Sequence, residues 1–76
     1  MKQFHIVLDY KGRKIEGEVI PQPSKTVQGI PLQHQLILNG EDQGLILCTS
    51  KKWQSTKIKD QKLVDQIGNY IMEWYE

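Results

Sequence analysis

The chain has 76 residues, of which 38% are hydrophobic and 25% charged, with a formal net charge of +1 and one cysteine. This length fits one domain, residues 1–76, and excludes two, because a chain this short buries only about 60% of the surface it exposes when unfolded. One cysteine cannot form an internal disulfide and falls short of a structural zinc site. We therefore expect a small domain held together by side-chain packing, unless chains pair.

The first predicted element is a β-hairpin. Apolar and polar residues alternate from Phe4 to Tyr10, which is typical of a strand with one buried face, and a second such run extends from Lys14 to Ile20. A two-residue turn at Lys11-Gly12 sets His5 opposite Glu18 and apolar residues opposite each other on the other face. A three-residue loop with a bulge would shift this register by one.

Residues 21–31 contain all three prolines of the chain. Proline lacks a backbone N–H, so this stretch neither continues a ladder nor favours a helix. We predict a Pro-rich connecting loop that carries the chain to the second hairpin.

The second predicted hairpin pairs Leu32 to Asn39 with Gly44 to Trp53 through a loop at residues 40–43. This loop sets Leu36 opposite Leu47 and places Leu45 and Leu47 on the same face as Leu36.

Asn39-Gly40 is a strong local signal for a tighter turn. That turn would set Leu38 against Glu41, whereas the longer loop pairs leucine with leucine. The hydrophobic pattern therefore favours the longer loop.

The last predicted element is a helix from Asp60 to Tyr75. Its apolar residues recur at spacings of three and four, and Asp60 is a good N-cap. We expect Trp74 in the core and Tyr75 at a contact. The predicted fold is α+β: two β-hairpins form a four-stranded, mainly antiparallel sheet, and the C-terminal helix packs on one face.

One helix covers only one face of such a sheet. If the larger apolar faces of the hairpins lie under the helix, an apolar stripe is left on the other face. Monomers seldom expose a contiguous apolar patch, so this stripe predicts a protein partner or a second copy of the chain. The predicted partner interface consists of Val7, Ile37, Ile46 and Cys48.

No catalytic, cofactor-binding or metal-binding constellation is predicted. The expected register places Cys48 and His34 on opposite faces, which disfavours a Cys-His nucleophile. His5 beside Glu18 is the one pair suited to acid–base work, and a cross-strand polar pair explains it more simply.

A basic segment at residues 51–62 offers an alternative function, because lysines can follow a phosphate backbone while an aromatic ring stacks on a base. The predicted nucleic-acid contacts are Lys51, Lys52, Trp53, Lys57 and Lys59. Two observations weigh against this: the sequence pI is only about 7.9, and Trp53 is the kind of residue that fills a core.

From the sequence we expect neither a secretory signal nor a membrane-spanning segment, and the lone thiol favours the cytosol. We expect a small, non-catalytic interaction module that self-associates through the helix-free face of its sheet. Nucleic-acid binding is the alternative, and no membrane or cofactor is expected.

Overall fold

A computed structural model describes residues 3–23, 26–27, 30–49 and 52–75. Five strands form one antiparallel sheet in the order β1-β2-β5-β6-β7, and β3 pairs with β4 separately. The elements are β1 (Phe4–Tyr10), β2 (Arg13–Pro21), β3 (Thr26–Val27), β4 (Ile30–Pro31), β5 (Gln33–Leu38), β6 (Glu41–Thr49), β7 (Lys52–Ser55) and α1 (Gln61–Tyr75). The predicted α+β fold, a sheet with one C-terminal helix, is confirmed. The sheet has five strands rather than four, because the stretch predicted as one strand from Gly44 to Trp53 lies in two strands, β6 and β7.

The first hairpin has the predicted register. His5 lies opposite Glu18 and Leu8 opposite Ile15. Lys11 and Gly12 both adopt positive φ, 50° and 78°, as a two-residue type I′ turn requires. The pairing of apolar with apolar side chains was therefore sufficient to place every residue of β1 on its correct face.

The predicted Pro-rich loop at 21–31 begins with a strand residue, since Pro21 is the last residue of β2. Thr26 then pairs with Pro31, and Val27 with Ile30. Pro31 is fully buried. The segment returns to the sheet at β5, and the Gln22 amide donates a hydrogen bond of 3.0 Å to the Gln33 carbonyl.

The second hairpin differs from its predicted register. Its turn is the tight one at Asn39-Gly40, with φ values of 49° and 81°, and Leu38 does lie opposite Glu41. A bulge then shifts the register between Gln35 and Ile37, so that two residues of β6, Gln43 and Gly44, face a single residue of β5.

The bulge reconciles the local turn signal with the hydrophobic pattern. Gly44 has φ of 73°, a left-handed conformation that glycine adopts at little cost, and its amide donates to the Asp42 carboxylate at 2.8 Å. Because one extra residue reverses the direction of every later side chain, Ile46 and Cys48 point to the helix side of the sheet. Leu45 and Leu47, predicted on the helix side, lie on the other face.

Helix α1 packs its apolar stripe on the concave side of the sheet. Asp60 caps it as predicted, accepting a hydrogen bond of 3.1 Å from the Lys62 amide. The buried hydrophobic core contains Phe4, Ile6, Leu8, Val19, Leu36, Leu38, Ile46, Trp53, Val64, Ile67 and Ile71. At the centre of α1, Gly68 lies directly against the Trp53 ring. A β-carbon built on Gly68 would collide with the Trp53 Cδ1 atom.

The helix lies between the two edge strands of the curled sheet. The Gln61 side chain donates to the Trp53 carbonyl of β7 at 2.8 Å, and the Gln66 side chain donates to the Asp9 carbonyl of β1 at 3.1 Å. The Tyr10 hydroxyl donates to the Asp60 carboxylate at 2.5 Å, which raises the pKa of Tyr10 to about 12. Helix side chains therefore take up backbone groups that neither edge strand uses in its ladder.

We expect Gly68→Ala to lower the free energy of unfolding by about 1–2 kcal/mol. Overpacking against the Trp53 ring costs about 1–3 kcal/mol, and the better helix propensity of alanine offsets part of it. Urea denaturation followed by circular dichroism measures the change. Asn69→Ala, at the exposed neighbouring position, is the matched control and should leave stability unchanged or slightly higher; an equal loss in both variants would contradict the packing argument.

Candidate interaction surface

We call the side of the five-stranded sheet that faces away from α1 the outer face. Alternation along each strand places five apolar side chains there: Val7, Ile20, Ile37, Leu45 and Leu47. Each lies opposite a polar residue on a neighbouring strand, for example Val7 opposite Glu16 and Ile37 opposite Glu18. The apolar side chains of the outer face are therefore interspersed with polar ones rather than gathered in a single stripe.

Val7 is the most exposed of these five side chains. Its relative exposure is 43%, whereas the other four are half-buried. Glu16 and Glu18 on β2 stand between Val7 on β1 and Ile37 on β5. Two of the four residues predicted at the interface, Val7 and Ile37, do lie on the outer face, but carboxylates separate them.

The other two predicted interface residues were wrongly placed. Ile46 is 0% exposed within the core, and Cys48 is half-buried and packs against that core. Both point to the helix side because of the bulge at Gly44. Burial also raises the pKa of the Cys48 thiol, so the protonated form is favoured.

Val7 lies on a strand whose second side carries no other strand in the described part of the chain, since β1 ends the sheet order. In a two-residue hairpin, the residues that flank the turn, here Tyr10 and Arg13, exchange backbone hydrogen bonds. Along β1, every second residue from Tyr10 directs its backbone N–H and C=O groups toward β2, and the residues between them direct theirs away from β2. The backbone groups of His5, Val7 and Asp9 therefore point out of the sheet. Gln66 takes up one of them, the Asp9 carbonyl.

Polar and charged side chains border Val7 on the outer face. The His5 ring lies 3.8 Å from the Glu18 carboxylate, which also accepts a hydrogen bond of 2.9 Å from the Gln3 side chain. The Lys14 ammonium lies 3.8 Å from the Glu16 carboxylate. These contacts are solvent-exposed, so each contributes little to stability, but they set the pattern of charge along β1 and β2.

The predicted nucleic-acid contacts are divided between surface and core. Lys52, Lys57 and Lys59 are exposed, and Lys51 lies outside the described residues. Trp53 is only 6% exposed and packs against Gly68, which confirms the core position that its residue type favours, so its ring is not free to stack on a base. What remains is a set of surface lysines.

His34 occupies a buried position that sequence reasoning did not identify. It is fully buried on the helix side of β5, and its Nε2 atom lies 3.0 Å from the Tyr75 hydroxyl. Its Nδ1 atom is buried without a hydrogen-bond partner among the described residues. Because burial disfavours the charged form, the pKa of His34 is lowered to about 4.

The new register also puts His34 on the same side of the sheet as Cys48, contrary to the expected opposite faces. His34 lies opposite Ile46, two residues before Cys48, so the two are diagonal neighbours. No hydrogen bond joins the two side chains among the described residues, since the His34 Nδ1 atom has no partner there and Nε2 lies against the Tyr75 hydroxyl.

The roles of the last two aromatic residues are reversed relative to expectation. Trp74, predicted in the core, is 55% exposed and stacks on Phe4 with ring centroids 4.6 Å apart. Tyr75, predicted as a contact, is half-buried and hydrogen-bonds to His34. The apolar stripe of α1 predicts which side of the helix is buried, but at the last turn the helix projects past the edge of the core.

In the described part of the chain no helix has the length and apolar character needed to cross a bilayer, and no group of three or more metal-binding side chains comes together.

The outward Leu45 and Leu47 were missed because their placement depends on the bulge. Gly44, four residues after Gly40, was the available signal for the bulge.

Comparisons with protein-family models, curated proteins and solved structures find no match to this chain.

We expect stability to fall as the pH drops from about 6.5 to about 4, because His34 must become charged in the unfolded chain while it stays neutral when folded. The folded pKa lies below the unfolded value, so the unfolded chain binds more protons in this window and stability rises with pH across it. The loss on acidification is about 3 kcal/mol. Urea denaturation at a series of pH values measures it.

His34→Gln removes the titrating group and should flatten this pH dependence, whereas His5→Gln, at an exposed position, should leave it intact. An unchanged slope in His34→Gln would assign the effect to other groups.

Proposed function

We propose that this protein is a small, non-catalytic interaction module that self-associates through the outer face of its sheet, on the side of strand β1. The observation that carries this proposal is the position of Val7. It is the only one of the sheet's large apolar side chains in the described residues that is more than a third exposed, and it lies on an edge strand. A branched apolar side chain beside unused backbone groups favours contact with another chain.

The chemistry around Val7 supports a polar, modest interface rather than a large apolar one. Glu16 and Glu18 interrupt the apolar positions of the outer face, so two copies stacked face to face would bring like charges together. An interface of this kind matches weak association at concentrations on the order of micromolar.

Nucleic-acid binding is kept as the alternative, supported by the exposed Lys52, Lys57 and Lys59. Without a free aromatic ring, such binding would depend on phosphate contacts alone and fall steeply with salt. We also propose a cytosolic location, since an unpaired thiol such as Cys48 persists best where the medium is reducing.

Self-association is tested by sedimentation velocity over a concentration series from about 1 to 300 µM, a range that spans weak specific contacts. We expect a reversible increase of the sedimentation coefficient with concentration. Val7→Lys should shift this increase to concentrations about tenfold higher, because it replaces the apolar contact with a charge. Gln54→Lys, on the exposed part of the opposite edge strand, adds the same charge as a control and should have little effect.

A sedimentation coefficient that stays at the monomer value throughout the series would overturn the proposal. Anisotropy of a labelled single-stranded oligonucleotide, titrated at low salt, then decides the alternative. A salt-dependent rise that is lost in Lys57→Glu would support nucleic-acid binding, and no rise would end it.

A further inference from the structure

We propose that two copies pair through their β1 edges as antiparallel strands, in the register that sets Val7 opposite Val7 of the second copy. This inference rests on the proposed self-association and specifies which strands of the two copies pair and in which register. The pairing joins the two five-stranded sheets into one continuous sheet related by a two-fold axis.

The first support is the contrast between the two edges of the sheet. β1 is seven residues long and contains no proline, glycine, lysine or bulge, the usual devices that protect an edge strand. β7 has four residues, begins with Lys52, and its Trp53 carbonyl is taken by Gln61. Of the strands that the structure describes, β1 alone therefore offers a long run of backbone groups for another strand.

The second support is the register itself. The outward residues of β1 are His5, Val7 and Asp9, and an antiparallel pair centred on Val7 brings His5 of each copy opposite Asp9 of the other. Unlike groups thus meet at both ends of the contact, while the apolar Val7 side chains meet at its centre. A shift by two residues would set Val7 against His5 or Asp9 and leave one end unpaired, so this register is self-complementary in polarity and in backbone hydrogen bonding.

The third support comes from the exposed aromatic residue at the end of α1. In this register Phe4 lies opposite Tyr10 of the second copy, and Trp74 stacks on Phe4. The Trp74 ring, 55% exposed in the single chain, therefore stands beside the incoming strand. Tryptophan and tyrosine are enriched at protein interfaces because they bury large areas at low entropic cost.

One contact within the single chain opposes the pairing. The Gln66 side chain holds the Asp9 carbonyl at 3.1 Å, and this carbonyl must exchange Gln66 for the His5 amide of the second copy. Gln66 thus acts as a partial cap on the β1 edge, and it accounts for an association that is weak although the edge is long. Removing the cap with Gln66→Ala should tighten the pairing.

The test is sedimentation velocity of the full chain with variants chosen to separate edge from face. His5→Lys places a permanent positive charge opposite Asp9 of the second copy, and it also keeps the attraction to Glu18 within the chain. We expect the dissociation constant for pairing of two His5→Lys chains to be lower than that of the unmodified protein by about threefold or more. Gln66→Ala should shift it in the same direction.

Ile37→Lys is the matched variant on the outer face, two strands away from the edge. It places a lysine opposite Glu18, just as Val7→Lys places one opposite Glu16. Edge pairing predicts that Ile37→Lys leaves the dissociation constant within about twofold, while Val7→Lys raises it about tenfold. Circular dichroism and thermal unfolding confirm that each variant is folded, and the tightening by His5→Lys cannot arise from a loss of folding.

The outcomes distinguish the two proposals. Association that Ile37→Lys abolishes as strongly as Val7→Lys, with no response to His5→Lys, would overturn edge pairing and leave self-association through the outer face in place. A monomer at every concentration would overturn both.

Discussion

The structure depends on one packing arrangement, the helix α1 seated between the two edge strands of a curled sheet. A five-stranded sheet of this size does not close on itself, and each open edge leaves backbone groups to satisfy. Gln61 and Gln66 supply hydrogen bonds to one edge each, while Gly68 lets the helix approach the Trp53 ring closely. The same helix therefore completes the core and hydrogen-bonds to part of both edge strands. Its position determines both the packing of the core and the backbone groups that stay exposed at the edges.

The bulge at Gly44 decides which residues reach the core and which reach solvent. A single additional residue in β6 buries Ile46 and turns Leu45 and Leu47 outward. This reversal removes half of the interface that alternation alone predicts, and it brings His34 and Cys48 to one side of the sheet. Local geometry at one glycine thus changes the face of Ile46 and Cys48 on β6, whereas Ile37 on β5 keeps its predicted outward position.

The candidate surface follows from what the helix leaves uncovered. Along β1, the inner residues lie under α1, and the outer residues carry a short pattern of His5, Val7 and Asp9 next to free backbone groups. The carboxylates of β2 confine the apolar character of this surface to the edge. The contact between copies that we propose there would combine backbone hydrogen bonds with pairing of polar side chains, which suits a weak and specific association better than an extended apolar interface.

The amino-acid sequence by itself determined the α+β class, the whole first hairpin and the helix with its Asp60 cap, because these depend on local periodicity, turn chemistry and side-chain pairs close in the chain. It also determined Val7 and Ile37 as outward residues. Only the tertiary structure decided the placement of Ile46 and Cys48. Their faces depend on the bulge at Gly44, which shifts the pairing between β5 and β6 by one residue, and the exposure of Trp74 depends on where the core ends beneath the helix.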